Sequence, residues 1–278
     1  MTLRPDNPLA ATLQELARYE GIDLQTAESV KLQDRKDTKY VLSSRLLPQL
    51  LAEVAEDYVV LEVAGQRAQR YTSVYFDTPS RSTYLEHHNG RLNRTKIRIR
   101  DYVESSLSFL ELKLKDNHYR TVKSRKQIPF GSRQLPMEEM ALLAQRWDAS
   151  PEALEPVLEV GFLRIMLAHL DRGERVTIDL GLDFRLLDAA ATTSLDRSCV
   201  VEVKRLRSGG STPMQLALRR HRIYKSPMSK YCVGMALLNP TLKTNRFKPL
   251  LAHLAHCEAD AAQGGEASPD PTTPTIAK

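Results

Sequence analysis

The chain has 278 residues, 42% hydrophobic and 27% charged, with a formal net charge of +6. This is ample for a hydrophobic core, in one large domain or two small ones, and the charge excess is too modest for a histone-like binder. Three widely spaced cysteines, Cys199, Cys232 and Cys257, form no CxxC or Cys/His spacing. That argues against a disulfide scaffold or a zinc site and fits free thiols in a reducing cytoplasm.

Residues 1–29 read as an N-terminal helical extension, with an amphipathic helix from Leu9 to Tyr19. Met1 to Leu9 has no apolar h-region, so no secretory signal is expected. No stretch approaches the roughly 18–20 apolar residues of a membrane span. The expected protein is soluble and cytoplasmic, with a membrane-protein partner left open. A main domain spans 30–245, opening with a strand over 35–42 that puts Arg35, Asp37 and Lys39 on one face. A helix follows over 43–57, where Pro48 is tolerated in the first turn. Strands are predicted at 58–64, 68–77, 94–103, 107–115 and 119–129, with His87 and His88 in a loop beside Asn89 and Gly90. Helices are predicted from Pro136 to Trp147 and over 152–157, then a strand over 159–165. In the run 175–187, Val176, Ile178, Leu180, Leu182 and Phe184 alternate with polar residues and are expected on one face. A strand over 199–206 and a helix from Pro213 to Tyr224, with Ser211 and Thr212 as candidate caps, complete the domain. The tail 246–278 is expected to be disordered from about 257, where glycine, proline, serine and threonine dominate.

The informative stretch runs from Thr95 to Arg125. Lys96, Arg98 and Arg100 alternate with Ile97 and Ile99; Glu111, Lys113 and Lys115 alternate with leucines; Lys123 and Arg125 follow. Strands send successive side chains to opposite faces, so each run has one cationic and one aliphatic face. A single lysine- and arginine-rich face is ordinarily a solvated one. Here the charge keeps one sign across three consecutive strands, arginine is prominent (Arg94, Arg98, Arg100, Arg125, Arg164, Arg175), and carboxylates are sparse but regular (Asp37, Glu111, Asp179, Glu202). Arginine forks match phosphate oxygens, and a few carboxylates among many cations suit a divalent metal on phosphate. His118 sits in a turn between basic strands; Trp147, Tyr71, Tyr75 and Tyr84 read as core or rim. There is no P-loop, dinucleotide fingerprint, Ser-His-Asp elbow or H-E-x-x-H. Many short strands argue for an α+β fold built on an antiparallel sheet closed or nearly closed on itself. If the charged faces point inward, the helices at 43–57, 136–147 and 213–224 are there to cover the aliphatic ones.

R-K-D-T-K-Y (35–40), Y-F-D-T (75–78), K-I-R-I-R (96–100), F-L-E-L-K (109–113), V-K-S-R (122–125), R-V-T-I-D (175–179), V-E-V-K (201–204) and S-K-Y (229–231) occur in that order. The ordered set resembles the VTC domain, the polyphosphate polymerase domain of the triphosphate tunnel metalloenzyme (CYTH-like) superfamily. The resemblance implies an eight-stranded antiparallel β-barrel with flanking helices. It also implies an ATP-dependent phosphotransferase extending polyphosphate inside a basic tunnel. Carried over by position, it implies that Arg98, Arg100, Lys113 and Arg175 act on the transferred phosphoryl group. It implies that Lys39, Lys123, Arg125, Arg164, Lys204, Ser229 and Lys230 bind substrate, that Glu111 is a further wall residue, and that Glu202 holds Mn²⁺ or Mg²⁺. ATP and polyphosphate or triphosphate are the implied partners, and no nucleic acid is expected because no aromatics of the RNA-binding kind are interleaved. Hydrolytic relatives open with E-x-E-x-K where this chain has Arg35, Asp37 and Lys39, which weakens a second metal site and favours the polymerase branch. A metal-dependent triphosphatase and a non-catalytic polyphosphate- or nucleotide-binding module are the competing readings.

Overall fold

The computed structural model describes residues 8–30, 35–115, 121–136 and 154–259. In chain order the elements are α1 (Pro8–Leu16), β1 (Gly21–Ile22), α2 (Leu24–Ser29), β2 (Arg35–Ser43), α3 (Leu47–Val54), β3 (Val59–Leu61), β4 (Gln69–Asp77) and α4 (Ser82–His88). Then come β5 (Arg94–Tyr102), β6 (Leu107–Lys115), β7 (Thr121–Ile128), β8 (Glu155–His169), β9 (Glu174–Leu186), β10 (Thr192–Leu195) and β11 (Ser198–Leu206). Helices α5 (Pro213–Arg220), α6 (Lys230–Leu238) and α7 (Lys248–Ala259) end the described chain.

Eight of the strands pair in the order β2-β11-β9-β8-β4-β5-β6-β7, and β1, β3 and β10 attach at the side to make an eleven-stranded sheet. All the ladders are antiparallel except β1 with β3. The expected eight-stranded closed barrel is therefore corrected: among the described residues no ladder joins β7 to β2. Part of the reason lies at the β2 edge. Ser226 N–H donates to Lys39 O at 2.8 Å, and Tyr40 bridges Lys225, so residues 225–226 cover half of the edge that closure would use. The sheet nevertheless curls, because all eight principal strands present side chains to one cavity.

The two faces separate as their chemistry demands. Ile97 and Ile99 are 0% and 1% exposed on the convex side, while Lys96, Arg98 and Arg100 face the cavity. On that convex side α1, α3 and α5 lay Leu16, Leu47, Leu50, Leu51 and Leu218 over Val176, Ile178, Val201 and Val203. The N-terminal extension is thus part of the main core. A second cluster fills one end of the concave side, where α6 packs Tyr231, Cys232 and Val233 on Leu158, Phe162, Leu182 and Phe184. A Cβ at Gly234 would lie 2.5 Å from Phe184 and 2.8 Å from Leu158, so glycine lets α6 sit directly on β8 and β9.

Several sequence expectations are corrected. The run 175–187 does not keep one face. Register shifts between Gly161/Asp183 and Leu163/Leu180, with Gly181 at φ +55° in a β-bulge, and the extra residue turns Leu182 and Phe184 onto the concave side, away from Ile178 and Leu180. Residues 155–157 belong to strand β8, not to a helix. His87 and His88 end helix α4 instead of lying in a loop, and residues 257–259 are helical in α7. The helix read at 136–147, the rest of that read at 152–157, His118 and the tail beyond 259 lie outside the described residues. Among the described residues no helix is long and apolar enough to cross a membrane.

Candidate active site

The cavity has a volume of about 340 Å³. Among the described residues, eleven cationic side chains and four carboxylates line it, an excess of positive charge larger than the whole chain's +6. Period-two alternation builds it: Arg35, Asp37 and Lys39 come from β2, Lys96, Arg98 and Arg100 from β5, Glu111 and Lys113 from β6, and Lys123 and Arg125 from β7. Arg164, Asp179 and the Glu202–Lys204 pair complete the sheet wall, and Ser229 and Lys230 enter from the N-terminus of α6. Every site residue expected from the sequence is brought together here except Arg175. That residue shares a face with Asp179 but lies beyond the lining, near Arg35, Glu28 and Asp37.

Its arginines are pinned. Arg98 Nε donates to Glu111 Oε2 at 2.7 Å, and its Nη1 to the Tyr75 hydroxyl at 3.3 Å. Arg164 grips Asp179 through two hydrogen bonds of 2.6 and 2.8 Å, and Lys230 donates to the same carboxylate. Arg100 Nε donates to Ser73 Oγ at 3.0 Å and lies 5.5 Å from the ring centres of Tyr71 and Phe162. Arg125 stacks 3.5 Å over Phe109. Burial alone would raise the carboxyl groups of Glu111 and Asp179. Their arginine and lysine neighbours overcome it, taking Glu111 to about 2 and Asp179 well below the usual carboxylate range.

The lysines are held more loosely. Lys96 Nζ donates to Ser229 Oγ at 2.9 Å and Lys39 Nζ to Met228 O at 3.0 Å. Lys113 is open to cavity solvent. Confinement by the walls, then repulsion from Lys96, Lys123 and Lys39, lowers it to about 8. Lys230 is also taken to about 8, by burial, with Asp179 opposing and Arg164 and Lys39 assisting. Tyr75, which the sequence assigned to core or rim, lines the cavity. Burial would raise its phenol, but Arg98, Arg100, Lys96 and Lys230 bring it down to about 7. Tyr75, Lys96, Arg35 and Ser124 are among the lining residues the sequence reading left out of the site. The shared alternation with Arg98 and Arg100 was the signal for Lys96.

The Y-F-D-T segment also has an architectural part. Asp77 accepts the backbone N–H groups of Thr83 (2.9 Å) and Tyr84 (3.0 Å) at the start of α4, and the Tyr231 hydroxyl donates to it. One buried carboxylate thereby ties α4 to α6. Ser229 is the N-cap of α6, accepting from Cys232 N–H at 3.4 Å, so Lys230 and the positive end of that helix face the cavity together.

Among the described residues no three His, Cys, Asp or Glu side chains come together as a metal cage. Of the four carboxylates, Glu111 and Asp179 are consumed by arginine forks, Asp37 faces Arg35 (3.1 Å), and Glu202 meets only the flexible Lys204 ammonium (3.1 Å). Burial would raise Glu202, and Lys204, Lys39 and Arg164 hold it well below the usual range, fully ionised. Across the β2–β11 ladder Lys204 faces Asp37 and Glu202 faces Lys39, which makes Asp37 and Glu202 diagonal neighbours. One ionised glutamate with a second carboxylate beside it fits a hard divalent ion whose other ligands are phosphate oxygens and water.

No curated protein matches the chain. Among solved structures it is similar to a Bacillus halodurans protein described as a candidate adenylate cyclase, at 14% identity and TM-score 0.43, covering 72% of this chain and 94% of that one. A Hippeastrum candidate adenylyl cyclase with a dominant triphosphatase activity is similar at 15% identity and TM-score 0.41, covering 73% and 95%. The PH1819 protein of Pyrococcus horikoshii gives 15% and 0.41, covering 73% and 98%. The VTC domain family model matches residues 34–239, which takes in all eight principal strands, the cavity and α6. The chain belongs to the VTC domain family.

Proposed function

We propose that the protein is a polyphosphate-synthesising phosphotransferase that moves the γ-phosphoryl group of ATP to the end of a polyphosphate chain held in the cavity. The observation that carries this reading is the state of the four carboxylates: Glu111 and Asp179 are locked to arginines, Asp37 pairs with Arg35, and Glu202, paired with Lys204, is the one left for a metal, in a cavity lined among the described residues by eleven cations. Hydrolysis would ask for a carboxylate at liberty to activate water. Transfer between phosphates asks for none, because the attacking terminal phosphate oxygen is already ionised. A new P–O bond forms between that oxygen and the γ-phosphorus while the β–γ anhydride bond breaks and ADP leaves. Such a step depends on in-line placement and on neutralising charge at the transferred oxygens. Arg98, Arg100 and Arg164 are pre-oriented by Glu111, Ser73 and Asp179 to do so. Lys39, Lys113, Lys123, Arg125, Lys204 and Lys230 hold the anionic chain, and Ser229 fixes Lys96 and the start of α6 beside them. Glu202 would hold Mn²⁺ or Mg²⁺, which would supply charge neutralisation to the phosphates. A cytoplasmic site of action, with ATP at hand, completes the reading.

The test is Glu202→Ala. Chain growth from ATP with Mn²⁺ should collapse, while tripolyphosphate binding in the presence of a chelator should persist. Unchanged chain growth would remove Glu202 from the reaction. Release of inorganic phosphate by the wild type without chain growth would favour the triphosphatase reading.

A further inference from the structure

A second groove of about 370 Å³ lies outside the cavity, at the C-terminal end of β2. It is formed by Val41, Leu42 and Ser43 of β2, by Leu46, by residues 222–226 and by the last turns of α7. Arg222, Tyr224, Lys225, Ser226, His253 and His256 line it, and no aspartate or glutamate does so among the described residues. Arg220 and His221, next in sequence, turn instead to Glu53 on the other side of α5. Arg222 and Lys225 are exposed and make no ion pair among the described residues, and the Tyr224 ring is 72% exposed. The fixed charge on this partly apolar groove is therefore of one sign, which suits an anion.

Two further observations point the same way. Arg222 follows the end of α5 with φ 58°, the left-handed conformation in which helices ordinarily place glycine. In that conformation Arg222 leaves the end of α5 as part of the groove lining. The groove and the cavity also share strand β2, whose Val41, Leu42 and Ser43 line the one and whose Arg35, Asp37 and Lys39 line the other. Lys39 offers its backbone carbonyl to Ser226 on the groove side while its ammonium reaches Met228 O on the cavity side. Lys230 follows Lys225 by only five positions, at most roughly 17 Å of chain.

We propose that this groove is an outer binding site for linear polyphosphate, taking the phosphates of a chain too long for the cavity. The inference rests on the cavity being a polyphosphate site and adds an exosite to it. A chain that spans both gains affinity by linkage, so long chains bind more tightly than tripolyphosphate without any change inside the cavity. Arg222 supplies a bidentate fork, Lys225 a point charge, and Ser226 a hydroxyl donor.

The test uses Arg222→Gly with Lys225→Ser. Glycine relieves the left-handed backbone, so the variant is expected to fold at least as well as the wild type. Binding of tripolyphosphate and of a long-chain polyphosphate is titrated for both proteins at one salt concentration. The double variant should lose about tenfold in affinity for the long chain and keep its tripolyphosphate affinity. An equal affinity of both proteins for the long chain, or a matching loss for tripolyphosphate, overturns the exosite. Equal displacement of the long chain from the wild type by single-stranded DNA would make the groove a general polyanion surface and overturns it as well. If the wild type binds tripolyphosphate but gains nothing from a longer chain, the exosite fails alone. If it binds neither, the cavity reading fails with it.

Discussion

The arginines and the lysines of the cavity do different work because they are held differently. Arg98, Arg100 and Arg164 are fixed before any ligand arrives, by Glu111, Ser73, Asp179 and the rings of Tyr71 and Phe162. Lys39, Lys96, Lys113 and Lys123 crowd one another, and their carboxylate neighbours are few. The arginine wall is a preorganised template in which Arg98 and Arg164 are compensated by Glu111 and Asp179 and Arg100 is held by Ser73 and two rings. The lysine wall stores repulsion that an anion relieves. Removing an arginine should therefore damage the fold, whereas removing a lysine should damage only binding.

The largest expected effect breaks the arginine wall. Arg164→Ala leaves Asp179 buried with only Lys230, and the loss of a buried pair costs about 3–5 kcal/mol, read by urea denaturation. Lys113→Ala, in contrast, should leave stability unchanged or raise it while weakening tripolyphosphate binding. Equal destabilisation by the two variants would erase the distinction. A smaller effect is expected from Gly234→Ala. Its methyl group meets Phe184 and Leu158, and overpacking of this kind costs about 1–3 kcal/mol. Because α6 carries Ser229 and Lys230, the same variant should lower anion affinity. A stability loss with affinity intact would show that α6 is not needed to place them.

Protonation sharpens the comparison further. Lys113 and Lys230 both stand near 8, below the ordinary lysine value. Between about pH 8 and pH 10 the unfolded chain holds more protons at these lysines than the folded one, so ligand-free stability should rise with pH across that window. Tripolyphosphate binding should weaken over the same window, because the charged lysines are what the anion needs. Calorimetry near pH 8 should record proton uptake on binding, and proton release would contradict it. The smallest effect is expected from Tyr75→Phe, which removes the acceptor of Arg98 Nη1 but leaves Glu111 in place. It should flatten the pH dependence of transfer near 7, where the phenol titrates, with little change in stability.

What could be read in the sequence follows from these same forces. The alternation of isoleucine with arginine placed β5 and β6 nearly residue by residue, but left open which face would point inward; the family resemblance implied that the charged one would. The bulge at Gly181 was not legible, because one inserted residue reverses a face without disturbing local alternation. Helix α6 was missed because Lys230–Leu238 is apolar around most of its circumference, as a helix buried on every side must be. Closure of the sheet was overread, since nothing local announces that Lys225 and Ser226 occupy the edge of β2. The site residues were legible as types on strand faces. Their pinning, by Glu111, Asp179 and the Tyr71–Phe162 stack (5.3 Å between ring centres), depends on pairs far apart in the chain.

The most direct measurement follows the label of γ-phosphate-labelled ATP incubated with the protein, Mn²⁺ and a short polyphosphate primer. The account predicts label in chains longer than the primer, with one ADP formed for each phosphate added. Label recovered only as inorganic phosphate, or left entirely in ATP across metals and primers, would contradict it.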